Sequence, residues 1–286
     1  MGLVYSARGV TGLKTVVDAR NSPLEYLSLD KLCLSEGGCH EGSLGDEEAI
    51  LVILGGKCSI NLRRDGAECS WSSLGSRPNP FAGNPAAVYI PRAWKYSIGA
   101  ISDLEALVAR SPWPEEAADE GDSSAIKPVL IRPEDVRVVS VGAGNWRRDV
   151  RFILGPESSV SRRLIVAETL NPPGNWSGFP PHKHDTRSDT EVILEEIYHF
   201  KVSPRDSYGI QRVYGYEGSD DAYVVHDDDV VIFPGGYHPT VAPPGTTLCY
   251  FWAIAGAEKA MKVTIDPRYR WISLAEGIIK EMQKAY

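Results

Sequence analysis

The sequence has no excess of basic residues. Its 286 residues include 30 lysines and arginines against 38 aspartates and glutamates, which gives a formal net charge of -8 at pH 7. Binding to a phosphate backbone requires a basic surface, so this charge argues against a nucleic-acid-binding protein. A small anionic ligand is still compatible with it, because a few local cations are enough to bind such a molecule.

The patterns of a disulfide framework and of a membrane segment are also missing. The five cysteines are odd in number and none of them forms a CxxC pair, which argues against a set of disulfides. No apolar run is long enough to span a membrane, and the first residues lack the apolar core of a secretory signal. We therefore expect a cytoplasmic protein with reduced thiols and without a membrane partner.

Helical patterns are scarce, and short β-type runs punctuated by Gly, Pro and Asp take their place. Many short strands between turn signals are typical of a sandwich or barrel rather than of a βαβ fold. We therefore predict an all-β architecture. The runs that support it are residues 49–54, 87–91, 136–141, 164–170, 191–200, 208–214, 222–225, 230–233 and 247–254.

One short helix is predicted at the C-terminal end of the chain. Ser273 and Glu276 have the spacing of a capping box. Leu274, Ile278 and Met282 then fall on one face of the helix. We expect this apolar face to pack across a barrel.

A weak internal repeat indicates two related halves. VYIPRAWK at residues 88–95 can be laid beside VIFPGGYH at residues 231–238, so that Lys95 corresponds to His238. We place an N-terminal unit at residues 1–155 and a C-terminal unit at residues 156–286. A strand of the first unit can join a sheet of the second. The acidic stretch at 112–127, poor in large apolar side chains, is predicted to be an exposed linker or long loop.

Two histidines in the C-terminal unit have the spacing of metal ligands on a strand. His182 and His184 are two residues apart, so both side chains project from the same face, whereas Lys183 points the other way. Two imidazoles on one face can hold a metal that neither could hold alone. His40, His199 and His226 have no such partner, and we interpret them as surface or hydrogen-bonded residues.

Further ligands are available near these histidines. The β run at 191–200 follows a short polar loop, as in a hairpin, so one of its carboxylates can lie opposite the histidines. Glu195 and Glu196 occupy opposite faces of a regular strand, and spacing alone does not choose between them. His238 follows a Pro-Gly-Gly turn that can return its side chain over a barrel mouth.

Three histidines and a carboxylate would leave a six-coordinate metal two open positions, which suits a substrate with adjacent oxygens. We predict one divalent ion, with zinc favoured and with manganese, iron, cobalt and nickel as alternatives, because imidazole and carboxylate suit all of them.

Three further side chains are candidates for binding a substrate. Arg212 interrupts an apolar, aromatic strand, and is either a structural ion-pair partner or a bidentate receptor for a carboxylate. Gln211 and Tyr198 are hydrogen-bonding groups that could reach the same cavity. Arg147 and Arg148, beside Gly144-Asn145, are expected to pair with acidic neighbours instead.

These motifs together resemble a known family. The segments GNWSGFPPHKHDT, LEEIYHF, IQRVYG, AYVVHDDDVVIFPGGYHPT and FWAIAG, within residues 171–256, are similar to the 5-deoxyglucuronate isomerases of the IolB type. That family belongs with the 5-keto-4-deoxyuronate isomerases in a bicupin superfamily. In the N-terminal half only 133–136 and 144–145 fit. The family often has an arginine-rich run with a histidine after Gly-Asn, whereas here WRRDVRF follows.

The resemblance implies two cupin barrels, with the metal in the second barrel on His182, His184, Glu196 and His238. It thereby chooses Glu196 over Glu195. The N-terminal cupin lacks an HxH pair and has Lys95 at the position of a ligand, so we expect it to hold no metal and to be structural. It would bury an interface within the chain or between the subunits of a homo-oligomer.

The implied activity is the conversion of 5-deoxy-D-glucuronate to 5-dehydro-2-deoxy-D-gluconate in myo-inositol catabolism, an aldose–ketose isomerisation. The expected partner is a small uronate-type sugar acid, with Arg212 as the receptor for its carboxylate and the catalytic base unassigned. Two other functions compete with this one. They are a metal-dependent bicupin dioxygenase, which oxygen consumption would reveal, and a non-enzymatic sugar-binding cupin, which turnover would exclude.

Overall fold

The computed structural model describes residues 2–115 and 126–284. Within these ranges the chain forms 23 β-strands and one α-helix, so the predicted all-β fold with a short C-terminal helix is confirmed. Residues 116–125 of the predicted linker lie outside the described residues.

The N-terminal barrel consists of a six-stranded and a four-stranded sheet, with orders β11-β8-β5-β10-β3-β2 and β4-β9-β6-β7. All of their strand pairs are antiparallel. The strands are β2 (Gly12–Val17), β3 (Ser28–Leu34), β4 (Cys39–Ser43), β5 (Glu47–Gly55), β6 (Cys58–Arg64), β7 (Ala67–Leu74), β8 (Ala87–Ile90), β9 (Lys95–Ala100), β10 (Leu104–Pro112) and β11 (Val129–Ile131).

The C-terminal barrel repeats this plan. Its sheets have the orders β1-β20-β17-β22-β14-β13-β12 and β15-β21-β18-β19, and a two-stranded sheet, β16-β23, lies beside them. The strands are β1 (Val4–Ser6), β12 (Arg137–Val141), β13 (Arg148–Leu154), β14 (Ile165–Asn171), β15 (Trp176–Ser177), β16 (His182–Lys183), β17 (Glu195–Ser203), β18 (Gly209–Tyr214), β19 (Asp220–Val225), β20 (Asp229–Phe233), β21 (Thr240–Val241), β22 (Thr247–Ala255) and β23 (Thr264–Ile265).

Several strands from the first 155 residues belong to the second barrel. β1 pairs with β20, and β12 and β13 extend the sheet beyond β14. The chain therefore crosses between the barrels more than once, while the boundary at residue 155 stays a prediction.

The two large sheets pack against each other, and this explains the unbroken apolar run of β5. Ile50 and Val52 belong to a core cluster that contains residues of both barrels. Leu51 and Ile53 alternate with them and face the interior of the N-terminal barrel. Because successive side chains of a strand point to opposite faces, a strand buried on both sides is apolar at every position.

Two glutamates connect the barrels in a reciprocal way. Glu48, on β5, accepts hydrogen bonds from the backbone N–H groups of residues 162–164 at 2.7–2.9 Å. Glu195, on β17, accepts them from residues 25–27 at 2.7–3.1 Å. Each carboxylate thus satisfies the N–H groups that precede the partner barrel's strand β14 or β3, which supports the internal repeat.

The C-terminal helix α1 (Arg270–Lys284) differs from its prediction in two respects. It begins three residues before Ser273, because a 3-10 turn capped by the side chain of Asp266 leads directly into it, so the predicted capping box is wrong. Leu274 and Ile278 are 76% and 65% exposed, so the predicted packing of this face across a barrel is also wrong. Ile272 is the buried apolar residue of the helix instead.

Candidate metal centre

Three backbone segments bring the candidate ligands together inside the C-terminal barrel. His182 lies on the short strand β16, which β23 holds in place, and His184 follows directly. Glu196 is the second residue of β17 and pairs with Phe233 of β20. His238 follows a turn at Gly236, where φ is +85° and a Cβ would lie 2.9 Å from the carbonyl oxygen of Tyr214. This turn therefore requires glycine.

The ligand atoms of His184, Glu196 and His238 lie within 4.8 Å of one another. Oε2 of Glu196 is 3.1 Å from Nε2 of His184 and 3.0 Å from Nε2 of His238. All three residues are at most 3% exposed. His182 stands at the edge of this group, with its ring centroid 5.0 Å from that of His238, and it is half-buried.

The hydrogen bonds of the two buried rings fit a metal site. Nδ1 of His184 lies 2.8 Å from the carbonyl oxygen of Leu194, and Nδ1 of His238 lies 2.8 Å from that of Gly236. Because a carbonyl oxygen can only accept, each Nδ1 donates its hydrogen, and in the neutral ring Nε2 keeps a lone pair directed at Glu196. Nε2 of His238 also has no hydrogen-bond partner among the described residues. Metal-bound histidines typically show this arrangement.

The electrostatics of the cluster favour a positive charge beside Glu196. Burial alone would raise the pKa of Glu196, but the close contacts of its carboxylate with His184 and His238 hold this pKa at about 2. Burial alone would lower the pKa of His184, and the interaction with Glu196 raises it instead. A divalent cation between these groups would supply this positive charge. It would also bind the carboxylate oxygen and the imidazole Nε2 atoms, which otherwise face each other as hydrogen-bond acceptors.

Glu195 and Glu196 have separate roles in the structure. Glu196 points into the barrel, where the histidines converge, whereas Glu195 points to the other face and binds the N–H groups of residues 25–27. Lys183, between the two histidines, contacts Asp185 and lies 3.0 Å from Glu191. These positions agree with the alternation expected for strands.

Among the described residues, the N-terminal barrel contains no comparable group. Ala49 pairs with Ile90 as Glu196 pairs with Phe233, so alanine stands at the position of the carboxylate. Lys95, which the internal repeat aligns with His238, is exposed. An apolar cluster fills the interior of this barrel.

A cavity of about 200 Å³ adjoins the metal-type cluster. Glu196, His182 and Tyr198 line it together with Tyr250 and Arg148. Burial, followed by the charge of Glu196, raises the pKa of Tyr198 well above its usual range, so its phenol keeps its proton at neutral pH. At about 30 Å³ per water molecule, the cavity has room for roughly seven waters, or for one small ligand.

The other two predicted substrate-binding residues are placed differently. Gln211 is fully buried, and its amide nitrogen donates to the carbonyl oxygens of His238 and Pro239 at 2.9 and 3.1 Å. Arg212 makes two hydrogen bonds of 2.8 Å to Asp220 and stacks on Tyr214. The structure thus contains the ion pair that was one alternative for Arg212, and neither residue lines the cavity.

Arg148, Tyr250 and Ser177 also line the cavity and are not among the substrate-binding residues predicted from the sequence. Arg148, Val150 and Phe152 are spaced by two residues on β13 and all face this cavity, so the alternation that selected His182 and His184 was available here too. For Ser177 and Tyr250, whose hydroxyls contact each other, the sequence offers no comparable signal.

The fold and the site define a double-cupin protein with a His/Glu metal-type cluster in its second barrel. The chain belongs to the KduI/IolB family, whose model matches residues 4–272. No helix in the described part of the chain is long and apolar enough to cross a membrane.

Curated relatives are similar along most of their length. The 5-deoxy-glucuronate isomerase of Geobacillus thermodenitrificans (strain NG80-2) is 37% identical over 251 residues, which is 87% of this chain and 86% of that protein. The protein of the same name from Bacillus subtilis (strain 168) is 32% identical over 266 residues, 91% of this chain and 93% of that one.

Solved structures agree with this fold. An IolB-like protein from Salmonella typhimurium LT2 has a TM-score of 0.87 and 28% identity, covering 96% of this chain and 100% of that one. Lactobacillus farciminis oxalate decarboxylase has a TM-score of 0.67 at 14% identity, covering 96% of this chain and 90% of that one, and this similarity shows the fold alone.

Proposed function

We propose that this chain is a metal-dependent 5-deoxy-glucuronate isomerase, which converts 5-deoxy-D-glucuronate to 5-dehydro-2-deoxy-D-gluconate in myo-inositol catabolism. The observation that carries the proposal is the pair of buried Nε2 atoms directed at Glu196 beside a cavity, in a chain whose relatives bear that name. A cytoplasmic location, a uronate-type sugar acid as the partner and a homo-oligomeric assembly belong to the same proposal.

The residues that would hold the ion are His182, His184, Glu196 and His238. Their nitrogen and carboxylate atoms suit zinc, which we favour, as well as manganese, iron, cobalt and nickel. When bound, a divalent ion supplies Lewis-acid polarisation of the sugar's carbonyl oxygen.

The chain's own residues bind and shield the substrate. Gln211 fixes the backbone at His238 and thereby the orientation of that ring. Tyr198 keeps a protonated phenol that donates to Glu196, and a substrate oxygen in the cavity can take over this hydrogen bond. Phe152 and Trp252 form an apolar wall of the cavity, which limits the contact of water with the sugar carbons between which a proton would move.

The test combines metal content with turnover. We expect the wild-type protein to contain about one metal per chain by mass spectrometry and to isomerise 5-deoxy-D-glucuronate without consuming oxygen. His184→Ala should lose the metal and the activity. His226→Ala is the matched control, because His226 is exposed and lies outside the cavity, and it should keep both.

Two results would contradict the proposal. Absence of metal from the wild type after reconstitution would leave a binding or structural cupin. Metal-dependent oxygen consumption without isomerisation would indicate the dioxygenase instead.

A further inference from the structure

Arg148 lines the cavity that adjoins the metal-type cluster, and it has no carboxylate partner among the described residues. Its Nη1 donates to the carbonyl oxygens of Trp146 and Phe179, at 3.2 and 2.9 Å. In the part of the chain that the structure describes, no carboxylate oxygen forms an ion pair with it. Its neighbours differ, since Arg147 lies 3.4 Å from Asp149, and Arg151 lies 3.6 Å from Glu168.

The surroundings of Arg148 leave its charge uncompensated. Desolvation lowers the pKa of Arg148, which shows that burial of its charge is unfavourable. The carboxylate of Glu276 acts on it from a distance, but this group already binds Lys280 at 2.6 Å and the N–H of Gly142 at 3.1 Å. A partly buried cation held in this way is stabilised when an anion enters beside it.

The guanidinium is also oriented in advance. The two backbone carbonyls hold Nη1, whereas Nε and Nη2 have no acceptor among the residues that the structure describes. An arginine with such a free edge can bind a carboxylate through two parallel hydrogen bonds. Arg212 has no comparable free edge, because Asp220 occupies both its Nε and its Nη2.

We propose that Arg148 is the receptor for the carboxylate of the sugar acid in this cavity. The inference rests on the proposed function, because the sugar acid is the substrate class assigned there. It replaces Arg212 in that role and gives the acid end of the substrate a fixed position relative to His182 and Glu196, which line the same cavity.

The test is calorimetric binding of two ligands that differ in charge, D-glucuronate and its neutral amide, to the metal-loaded protein. The wild type should bind the acid more tightly than the amide, and Arg148→Gln should lose roughly 10- to 100-fold in affinity for the acid while its affinity for the amide changes little. Arg148→Lys should retain part of the preference, because it keeps the charge but not the planar fork. Arg147→Gln is the control, since Arg147 is exposed and paired with Asp149.

Metal content and melting temperature are measured on every variant, so that a merely structural role of Arg148 in holding Phe179 is detected. A preference for the acid that survives in Arg148→Gln would overturn the proposal, and so would an equal loss of affinity for both ligands. A wild type without any preference for the acid would overturn it as well.

Turnover separates this inference from the isomerase. If Arg148→Gln loses the preference for the acid and the wild type does not isomerise 5-deoxy-D-glucuronate, Arg148 is still the carboxylate receptor, but the proposed isomerase function is wrong. If turnover occurs, the variant should raise KM roughly 10- to 100-fold with a smaller effect on kcat.

Discussion

At the scale of single residues, two adjacent glutamates have different roles because a strand alternates its side chains. Glu196 points inward to the two buried Nε2 atoms, and Glu195 points outward to three backbone N–H groups of the other barrel. Because both are carboxylates on one strand, the same substitution at each position distinguishes the loss of a metal ligand from the loss of hydrogen bonds between the barrels.

We expect Glu196→Gln to lose the metal and to reduce isomerase activity by at least about 100-fold, because a neutral amide neither attracts the cation nor replaces the charged ligand. Glu195→Gln should keep the metal and lose about 1–3 kcal/mol of stability, since an amide oxygen accepts fewer and weaker hydrogen bonds than a carboxylate. Metal analysis and chemical denaturation measure both effects. If Glu195→Gln lost the metal and Glu196→Gln kept it, the assignment of Glu196 as the metal ligand would be contradicted.

At the scale of elements, the strand that carries His182 depends on a small segment near the end of the chain. β23 pairs with β16, and the following residue, Asp266, donates its N–H to the carbonyl oxygen of Pro181 at 2.8 Å. The carboxylate of Asp266 accepts from Tyr214 at 2.6 Å and from Arg268 at 2.7 Å. This segment therefore connects β16 to β18.

The stability that Asp266 provides should depend on pH in the acid range. Hydrogen bonds from Arg268, and after them the one from Tyr214, hold the pKa of Asp266 at about 2, below its ordinary value of 3.8. Because the folded pKa is lower, the contribution is complete above pH 3.8 and is lost as the pH falls towards 2. Asp266→Asn should be less stable at pH 7 and should show a smaller loss of stability between pH 4 and pH 2.

Chemical denaturation at a series of pH values measures this difference. The control is Asp220→Asn, whose carboxylate forms a mostly exposed ion pair with Arg212 and should have a smaller effect. Parallel stability curves for the wild type and Asp266→Asn over the acid range would disprove the expected linkage.

At the scale of the whole molecule, the barrels are joined by a shared apolar core and by buried charges within it. Arg77 precedes β8 of the first barrel, and its guanidinium contacts both carboxylate oxygens of Glu168 on β14 of the second barrel. Lys31 and Asp228 form a second buried pair across the same interface, at 2.7 Å. These contacts tie the cupins into one unit.

Removing one partner from the first of these pairs should destabilise the protein strongly. We expect Glu168→Gln to lose about 3–5 kcal/mol, because Arg77 and Arg151 would remain buried without a counter-ion. Glu68→Gln, in the exposed pair with Arg63, should change stability by less than about 1 kcal/mol. Denaturant unfolding measures both, and equal effects would show that burial does not govern these pairs.

The sequence by itself determined the all-β architecture, because turn residues and short β-type runs depend on local backbone preferences. It also selected His182 and His184 as neighbours on one face, since a strand has a period of two. The Pro-Gly-Gly turn made His238 a candidate ligand, and the resemblance to a family indicated Glu196. The existence of the C-terminal helix followed from its apolar spacing, whereas its first residue and its exposure did not.

Only the tertiary structure decided which groups meet across the barrels and the cavity. Alternation puts Glu195 and Glu196 on opposite faces of their strand, but it does not say which face is inside the barrel. The pairing of β17 with β20 and β22 determines that Glu196 points inward and Glu195 outward. Whether an arginine finds a carboxylate depends on residues distant in the chain. Arg212 meets Asp220 from the neighbouring strand, whereas Arg148 faces the cavity, and local spacing contains no information about those contacts.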